Sequence, residues 1–374
     1  MDKSRSRLVG GAAVVLLSGA IGLAYLVKER KRYNKSSSPI AVAIVGDSFC
    51  DVICRLEKDD LPQWGEDRLA KSVDRLAGGS ALNCAVWLRY CNPAATVSIV
   101  KTFDDGDFAG QVLKARLNES RVKILPLRGI QQQYDSGVCV CLSGTEDRAF
   151  VSKRGTIGKM KSSDIDIDAF FESMSHDDTP IRHLHLAGYY NCEGLWEGAV
   201  DLVSRAKAAS CTVSLSPQFD ATGQWDGNIG ELLGLIDLFI CNNEEASHIA
   251  KALGATKGGR IHVLVTKEGV DVKAERDASH ILYHGLACCS HPNKNLQVVV
   301  TLSEKGAFVV STRGLHYCSA EKVELVDACG AGDAFTAAFI NSWLSDRSDE
   351  SSALQAGCHA GALAVGVAGG SVTP

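Results

Sequence analysis

The sequence predicts an α/β protein in which a mostly parallel sheet is covered by helices on both faces, giving three layers. From Ile40 onward, apolar segments of strand length alternate with segments of helical periodicity, which is typical of a parallel sheet. The composition, with 45% hydrophobic and 22% charged residues, fits a folded globular chain. The 36 glycines suit the many tight turns between strands and helices that such a fold needs.

Seven apolar runs are predicted as buried strands, and segments between them are predicted as helices. Periodicity alone does not separate a short buried strand from a helix fragment, so the boundaries are loose by a few residues. The predicted strands are residues 41–45, 97–100, 183–187, 212–215, 238–241, 261–265 and 298–302. The predicted helices include residues 108–117, 197–208 and 245–253.

Two further stretches alternate in polarity instead of forming a continuous apolar run. In residues 50–56 and 137–153, every second side chain could face one side of a strand. They predict a small β-sheet lid over a cleft, with lid strands near residues 50–77 and 134–154. An ordinary hairpin at a sheet edge is the alternative. The lid could also pair with that of a second copy to form a homodimer, although nothing in the sequence requires it.

Residues 267–297 form an irregular polar stretch between two of the predicted strands. Its charged residues are concentrated in its first part, at Asp271, Lys273, Glu275, Arg276 and Asp277. This composition predicts an inserted surface loop, in which we identify no residues suited to chemistry.

The amino terminus differs from the rest of the chain. Residues 8–27 contain no charged side chain, and a helix of this length can cross the hydrocarbon core of a bilayer. More basic residues follow this segment than precede it, which predicts that the remainder of the chain faces the cytosol. We therefore expect residues 1–39 to be a membrane anchor with a polar tether and residues 40–374 to be the folded domain. A cleaved signal peptide and a buried core helix are the alternatives.

Charge and cysteine content exclude two classes of function. Residues 1–35 hold eight basic and two acidic residues, whereas the whole chain has a formal net charge of −5, so the remainder is acidic. An acidic domain argues against nucleic acid as a partner, because phosphate backbones attract basic surfaces. None of the 14 cysteines forms a C-x-x-C pair, which makes a zinc site unlikely and favours buried thiols in a reducing compartment.

A turn with two glycines, followed by an apolar helix, gives the strongest chemical signal. Gly330, Ala331 and Gly332 would present backbone N–H groups at a helix start, where the helix dipole favours an anion. Asp333 would lie in the first turn, beside that anion. Its carboxylate could accept the proton of an attacking hydroxyl while the amides stabilise a transferring phosphoryl group. The alternative is an aspartate that only caps the helix.

Two other polar groups could bind a polyhydroxylated substrate. Gly78 and Gly79 precede a predicted helix and leave room for a ligand on the backbone, and Asn83 offers both a donor and an acceptor. Asp51 lies shortly after the first strand, at the sheet edge where α/β folds bind ligands, and could accept hydrogen bonds from two hydroxyls. A simple turn and a loop aspartate are the alternatives.

Two segments that follow apolar strands are candidates for a nucleotide site. After residues 238–241, the acidic residues of the segment Asn242–Glu245 could hold a hydrated Mg²⁺ against phosphates, unless these residues only cap a helix. After residues 298–302, hydroxyls near Thr301 and Ser303, together with Gly306, could contact a nucleotide. Residues 183 and 185, both histidines, lie within an apolar strand and are interpreted as core or cleft lining rather than as metal ligands.

Several other catalytic motifs are absent from the sequence. It contains no G-x-x-x-x-G-K-[ST] phosphate loop, no H-R-D catalytic loop of protein kinases and no G-x-S-x-G nucleophile turn.

Taken together, residues 40–374 resemble the PfkB-type, or ribokinase-like, carbohydrate kinases. The segment GGSALN at residues 78–83 is similar to the amino-terminal signature of this family, and DACGAGDAF at residues 327–335 is similar to its highly specific carboxyl-terminal signature. Asn242 and Glu245 match its N-x-x-E motif. Arg154 with the glycine after it resembles the end of a lid strand, and residues 216–220 resemble a segment beside the substrate site.

The resemblance implies a ribokinase-like α/β sandwich with a β-sheet lid, ATP with Mg²⁺ as the phosphoryl donor, and Asp333 as the catalytic base. It implies Mg²⁺ held through water by Glu245, and a monovalent cation such as K⁺ near Asp327. The substrate contacts that it implies are Asp51, Gly78, Gly79, Asn83 and Arg154. Ser303 departs from the family, whose members commonly have glycine there, and the serine could crowd the nucleotide contacts.

The sequence therefore predicts an ATP-dependent kinase that phosphorylates a hydroxyl of a small sugar or sugar-like molecule. A nucleoside kinase of the same fold is one alternative. An inactive, membrane-tethered scaffold is the other, although an inactive copy need not retain Asp333 and its glycine turn.

Overall fold

Thirteen strands occur in the part of the chain that this computed structural model describes, which is residues 39–57, 61–128, 134–143, 148–167, 181–255, 272–288 and 290–374. The strands are β1 (Ile40–Gly46), β2 (Phe49–Leu56), β3 (Ala70–Gly78), β4 (Thr96–Val100), β5 (Lys123–Leu125), β6 (Gly137–Ser143), β7 (Arg148–Lys153), β8 (Ile181–Ala187), β9 (Thr212–Ser216), β10 (Leu238–Asn242), β11 (Gln297–Thr301), β12 (Ala307–Ser311) and β13 (Gly314–Cys318).

Nine of these strands form one large sheet in the order β13-β12-β11-β10-β9-β8-β1-β4-β5. All neighbours from β11 to β5 are parallel, and only the pairs β11–β12 and β12–β13 are antiparallel, so β12 alone runs against the other strands. The mostly parallel sheet predicted from the sequence is confirmed. Six of the seven predicted strands lie in this sheet, and the seventh, residues 261–265, falls outside the described residues.

The described helices cover both faces of the large sheet. They are α1 (Ser80–Cys91), α2 (Phe108–Glu119), α3 (Ala199–Ala208), α4 (Ile229–Leu233), α5 (Asn243–Ala252), α6 (Val272–Tyr283), α7 (Ala331–Ser345) and α8 (Glu350–Val365). On β8, His183 contacts Trp343 of α7, whereas the next residue, Leu184, belongs to a core with Leu202 of α3 and Ile249 of α5. Because side chains alternate along a strand, α7 and the pair α3 and α5 pack on opposite faces.

The two histidines of β8 are core residues, as the sequence predicts. His183 and His185 are fully buried and both hydrogen bond to the hydroxyl of Ser214 on β9. Burial lowers the pKa of both imidazoles, so both are neutral at physiological pH. Among the described residues, no group of three or more histidine, cysteine or acidic side chains is arranged to hold a metal ion.

A second sheet of four strands, in the order β3-β2-β6-β7, is the small lid of the predicted fold class. β2 pairs antiparallel with β3 and parallel with β6, while β7 pairs antiparallel with β6. Exposure alternates along most of β3, as expected for a strand with one covered face. This register places Asp51 of β2 between Leu76 of β3 and Cys139 of β6.

The prediction of a surface loop at residues 267–297 is wrong for its central part, which forms α6 and a following π-helical turn, His284–Cys288. Ala274, Ala278 and Ile281 recur at helical spacing, are fully buried, and belong to the core beneath β11 and β12. Of the charged residues between them, Arg276 is exposed whereas Glu275 is buried. Charged residues interspersed among the apolar ones hid this stripe in the sequence. Residues 267–271 and 289 lie outside the described residues.

The predicted membrane anchor at residues 8–27 and its tether up to residue 38 also lie outside the described residues. Among the helices of the described residues, none combines the length and apolar character needed to cross a bilayer.

The burial of α6 gives a direct test of the corrected fold. We expect Ile281→Ala to lower the free energy of unfolding by about 2–5 kcal/mol, because it removes a fully buried side chain. Tyr283→Ala in the same helix is the matched control, since its side chain is 61% exposed and its loss should cost less than about 1 kcal/mol. Urea unfolding of both variants measures the difference, and equal losses would contradict the packing of α6.

Candidate active site

Two helices begin beside each other at the carboxyl ends of the strands, each after a glycine. Gly79 precedes α1 with a φ of 91°, and Gly330 precedes α7 with a φ of 74°. These left-handed conformations favour glycine. A Cβ on Gly330 would lie 2.3 Å from the Cα of Gly370, so the turn before α7 packs directly on a later segment of the chain.

The carboxylate of Asp333 joins the two helix starts. Its Oδ1 accepts a hydrogen bond of 2.6 Å from the hydroxyl of Ser80, and its Oδ2 accepts one of 2.8 Å from the side-chain amide of Asn83. Both donors lie in the first turns of α1. The structure therefore brings together Asp333, Asn83 and the two glycine turns that sequence analysis singled out separately.

The pKa of Asp333 is raised to about 7, mainly by burial and also by the negative charge of Asp47, while the bonds from Ser80 and Asn83 act in the opposite direction. A carboxyl whose pKa lies near neutrality can accept a proton efficiently at physiological pH. The local chemistry is therefore suited to general base catalysis.

The start of α7 has backbone donors with no acceptor inside the helix. The N–H groups of Ala331, Gly332 and Asp333 belong to the first turn, where intrahelical acceptors are lacking. Ala331 makes only a long contact, 3.4 Å, to the carbonyl oxygen of Ala328. A Cβ placed on Gly332 would meet no atom within 4 Å, so there is open space beside these amides. The arrangement can bind an anionic oxygen next to Asp333.

Asp51 faces the same space from the lid strand β2. Its carboxylate lies so close to Gly78 that a Cβ there would be 1.9 Å from Oδ2, which explains the first glycine of the pair. Burial, followed by the charges of Asp47, Asp333 and Asp327, raises the pKa of Asp51 to about 7. Asp51 therefore lies within electrostatic range of the other three carboxylates.

Sequence analysis assigned no role to Asp47 or Ser80, although both contribute to the site. Asp47 is buried, and its Oδ1 accepts the backbone N–H of Ala81 at 3.1 Å while its Oδ2 accepts the side-chain amide of Asn191 at 2.7 Å. It thereby supplies from β1 the cap that Gly79 cannot provide. The position of Asp47, directly after a buried strand, was the available signal.

Asn242 and Glu245 form a capping box at the start of α5. Asn242 Oδ1 accepts the N–H of Glu245 at 2.9 Å, and Glu245 Oε2 accepts the N–H of Asn242 at 2.9 Å. The helix cap that the sequence offered as the alternative to a metal-binding role is therefore present in the structure. Burial raises the pKa of Glu245 to about 7, and the charges of Asp333 and Glu244 contribute, so Glu245 also lies within electrostatic range of Asp333.

Burying several carboxylates near one another is unfavourable unless protons or a cation neutralise them. Asp51, Asp333 and Glu245 show this cost as raised pKa values. Carboxylate oxygens are ligands that Mg²⁺ prefers, but no three of these side chains are arranged to hold an ion by themselves. A magnesium ion at this site would therefore need phosphate and water ligands as well.

Asp327 has a structural role in the same turn. Its Oδ1 accepts the N–H of Cys329 at 2.9 Å, and its Oδ2 accepts the N–H of Gly369 at 3.1 Å. The carboxylate thus ties the turn before α7 to the segment after α8. These bonds account for the burial of Asp327 without a monovalent cation, so a role in cation binding remains a prediction.

Residues after α8 complete the site from a distant part of the sequence. The carbonyl oxygen of Gly370 accepts the indole N–H of Trp87 at 3.1 Å, and the hydroxyl of Ser371 donates to the carbonyl oxygen of Ala77 at 2.6 Å. Together with the contact between Gly330 and Gly370, these bonds place this segment against both glycine turns.

The other predicted site residues are not hydrogen bonded to this group in the described part of the chain. Arg154 forms an ion pair with Glu193. Thr301 ends β11, and Ser303 and Gly306 lie in the turn that leads to β12. Ser303 has a φ of 54°, so the serine keeps the left-handed conformation that favours glycine.

Comparisons with known proteins identify the family of the chain. A family model described as "pfkB family carbohydrate kinase" matches residues 40–374. An adenosine kinase from Schizophyllum commune is 25% identical over 289 residues, which cover 74% of this chain and 75% of the relative.

Solved structures are similar over most of their length. Ribokinase from Cryptococcus neoformans var. grubii serotype A, in complex with ADP, has a TM-score of 0.67 at 20% identity and covers 89% of this chain and 95% of its own. Arabidopsis thaliana ribokinase, complexed with ribose and ATP, has a TM-score of 0.64 at 20% identity and covers 89% and 94%. The predicted ribokinase-like fold is confirmed.

The two glycines at the start of α7 should respond differently to alanine. Gly330→Ala should lower the free energy of unfolding by about 2–4 kcal/mol, because it combines a left-handed φ with a steric clash. Gly332→Ala, where the Cβ enters open space, should change it by less than about 1 kcal/mol. Urea unfolding of both variants tests the difference, and similar losses would contradict the close packing of Gly330 on Gly370.

Proposed function

Because the chain belongs to the pfkB family of carbohydrate kinases, we propose that it transfers the terminal phosphoryl group of ATP to a hydroxyl of a small sugar or sugar-like molecule. The observation that carries this proposal is the placement of Asp333, which lies among helix amides that lack an intrahelical acceptor and is oriented by two donors from α1.

The proposed chemistry follows from what these groups can do. ATP, bound with Mg²⁺, supplies the phosphoryl group. Asp333 accepts a hydrogen bond from the acceptor hydroxyl and takes its proton as the oxygen attacks. The N–H groups of Ala331 and Gly332, at the positive end of the helix dipole, stabilise negative charge on the transferring group. Positioning and electrostatics therefore provide most of the catalysis.

The sugar or sugar-like molecule that receives the phosphoryl group, here called the acceptor, would lie between the lid and the start of α1. Asp51 can accept hydrogen bonds from two of its hydroxyls, and Gly78 and Gly79 allow it to approach the backbone closely. Asn83 already bonds to Asp333 through its side-chain amide, and its Oδ1 is buried with no hydrogen-bond partner. This oxygen would have to be uncovered before it could accept a hydrogen bond from a hydroxyl of the substrate. Arg154 would have to exchange its ion pair with Glu193 to contact the acceptor.

We assign the nucleotide to the other side of Asp333. Glu245 is the candidate to hold Mg²⁺ through water, since its charge interacts with that of Asp333. Thr301, Ser303 and Gly306, together with Asn242, would contact the nucleotide itself. Asp327 is the position at which a monovalent cation such as K⁺ would act.

A nucleoside kinase is the second candidate, and the relative from Schizophyllum commune, an adenosine kinase, supports it. Sugars and nucleosides both present hydroxyls that the carboxylates Asp51 and Asp333 could bind. Two further expectations remain predictions. One is that residues 8–27 anchor the chain in a membrane with the folded domain in the cytosol, and the other is that the lid forms a homodimer. An inactive scaffold is disfavoured by the intact network around Asp333.

The substrate class can be tested with the purified full-length chain and a panel of sugars and nucleosides, with ADP formation as the measurement. Release of ADP that depends on one sugar supports the main proposal, and dependence on a nucleoside supports the alternative. If no sugar and no nucleoside stimulates the release of ADP, both proposals are contradicted.

The role of Asp333 predicts a large effect of a small change. Asp333→Asn should lower turnover by about 10²–10⁴-fold, because it removes the base, while ATP binding measured by calorimetry survives. Asp201→Asn is the control, since Asp201 lies on the exposed surface of α3 and its change should leave turnover within about twofold. Unchanged turnover in Asp333→Asn would refute the assignment.

A further inference from the structure

We propose that Ser80 is a positioning residue for phosphoryl transfer, whose hydroxyl orients the Asp333 carboxylate and stabilises its negative charge. This inference rests on the proposed function and assigns a role to a residue for which neither the motif analysis nor the proposed substrate contacts give one.

The bond between Ser80 and Asp333 has the geometry of a strong hydrogen bond. At 2.6 Å, the distance from Ser80 Oγ to Asp333 Oδ1 lies in the range of charge-assisted O–H···O⁻ bonds. Ser80 is 5% exposed, so water hardly competes for the contact. Because each carboxylate oxygen can accept two bonds, one donor on each leaves room for the hydroxyl of an acceptor.

The hydroxyl of Ser80 serves no local purpose that would explain it otherwise. A serine at a helix start usually caps its own helix, but no side chain of the turn before α1 makes such a bond. Asp47 supplies that cap instead, through the N–H of Ala81. The Ser80 hydroxyl therefore points across to α7, and Asp47 holds the helix turn that aims it.

The surroundings of Asp333 oppose its ionisation. Asp47 faces it from the end of β1, Asp51 from β2, Glu245 from α5 and the thiol of Cys84 from α1. Loss of solvation is the largest effect that raises the pKa of Asp333, and the charge of Asp47 adds to it. The bonds from Ser80 and Asn83 are the interactions that lower the pKa of Asp333. Ser80 is the better probe, because Asn83 is also a proposed substrate contact.

The first experiment compares the pH dependence of kcat/KM in the wild type, Ser80→Ala and Ser80→Thr. Loss of the hydroxyl should raise the pKa of Asp333, so the acidic limb of the Ser80→Ala profile should shift to a higher pH by about one unit. At pH values well above the limb, its rate should return to within about threefold of the wild type. Ser80→Thr, which keeps the hydroxyl, should restore the wild-type limb.

A second experiment needs no substrate and also decides the case if threonine cannot be accommodated. The folded-state pKa of Asp333 lies above the unfolded value, so this carboxyl costs stability as the pH rises towards that pKa, and the cost then levels off. In Ser80→Ala the pKa of Asp333 is expected to be higher, so the loss of stability continues to a higher pH before it levels off. Its loss in the free energy of unfolding, relative to the wild type, should therefore grow as the pH passes through about 7.

The same substitution in an Asp333→Asn background removes the titrating group, so the pH-dependent part of the loss should vanish there. An unmoved acidic limb, or a loss in stability and rate that is equal at every pH and persists in the Asp333→Asn background, would overturn the proposal. A wild-type chain that phosphorylates no acceptor would overturn the proposed function instead, and the unfolding data would still show whether Ser80 stabilises the charge of Asp333.

Discussion

One constraint governs the site: the carboxylate of Asp333 must be held at the point where two helices begin. Ser80 and Asn83 of α1 hold it from one side, and the first turn of α7 positions it from the other. The glycines of the two turns lie against other segments of the chain, since a Cβ on Gly79 would meet the backbone of residues 47–49 and one on Gly330 would meet Gly370. Gly79 has no side chain with which to cap α1, and Asp47 accepts the N–H of Ala81 instead.

The second property of the site is its accumulation of negative charge. Loss of solvation raises the pKa values of four carboxyl groups, those of Asp47, Asp51, Asp333 and Glu245. Neighbouring negative charges add to this effect for the last three. A cation placed among them would lower these pKa values and relieve their repulsion. Affinity for a metal–nucleotide complex and ionisation of the base would then be coupled through the same electrostatic field, without any movement of the backbone.

Local signals in the sequence were sufficient for the sheet and for the glycine turns, since both depend on short runs of neighbouring residues. They were insufficient where the cause is distant. The cap from Asp47 and the bond from Ser80 join elements that only tertiary folding brings together. Helix α6 was missed for another reason, because its charged residues are interspersed among its apolar ones and part of its buried stripe consists of small alanines, Ala274 and Ala278. Ion pairing of Arg154 with Glu193 likewise has no local signature.

The segment around Gly370 and Ser371 bears on how firmly the site is held. It packs against Trp87, Ala77 and Gly330, so both glycine turns depend on contacts with one stretch that is distant in the sequence from the first of them. Local opening of this stretch would loosen both turns at once. The site should therefore lose its geometry at a smaller free-energy cost than unfolding of the whole domain requires.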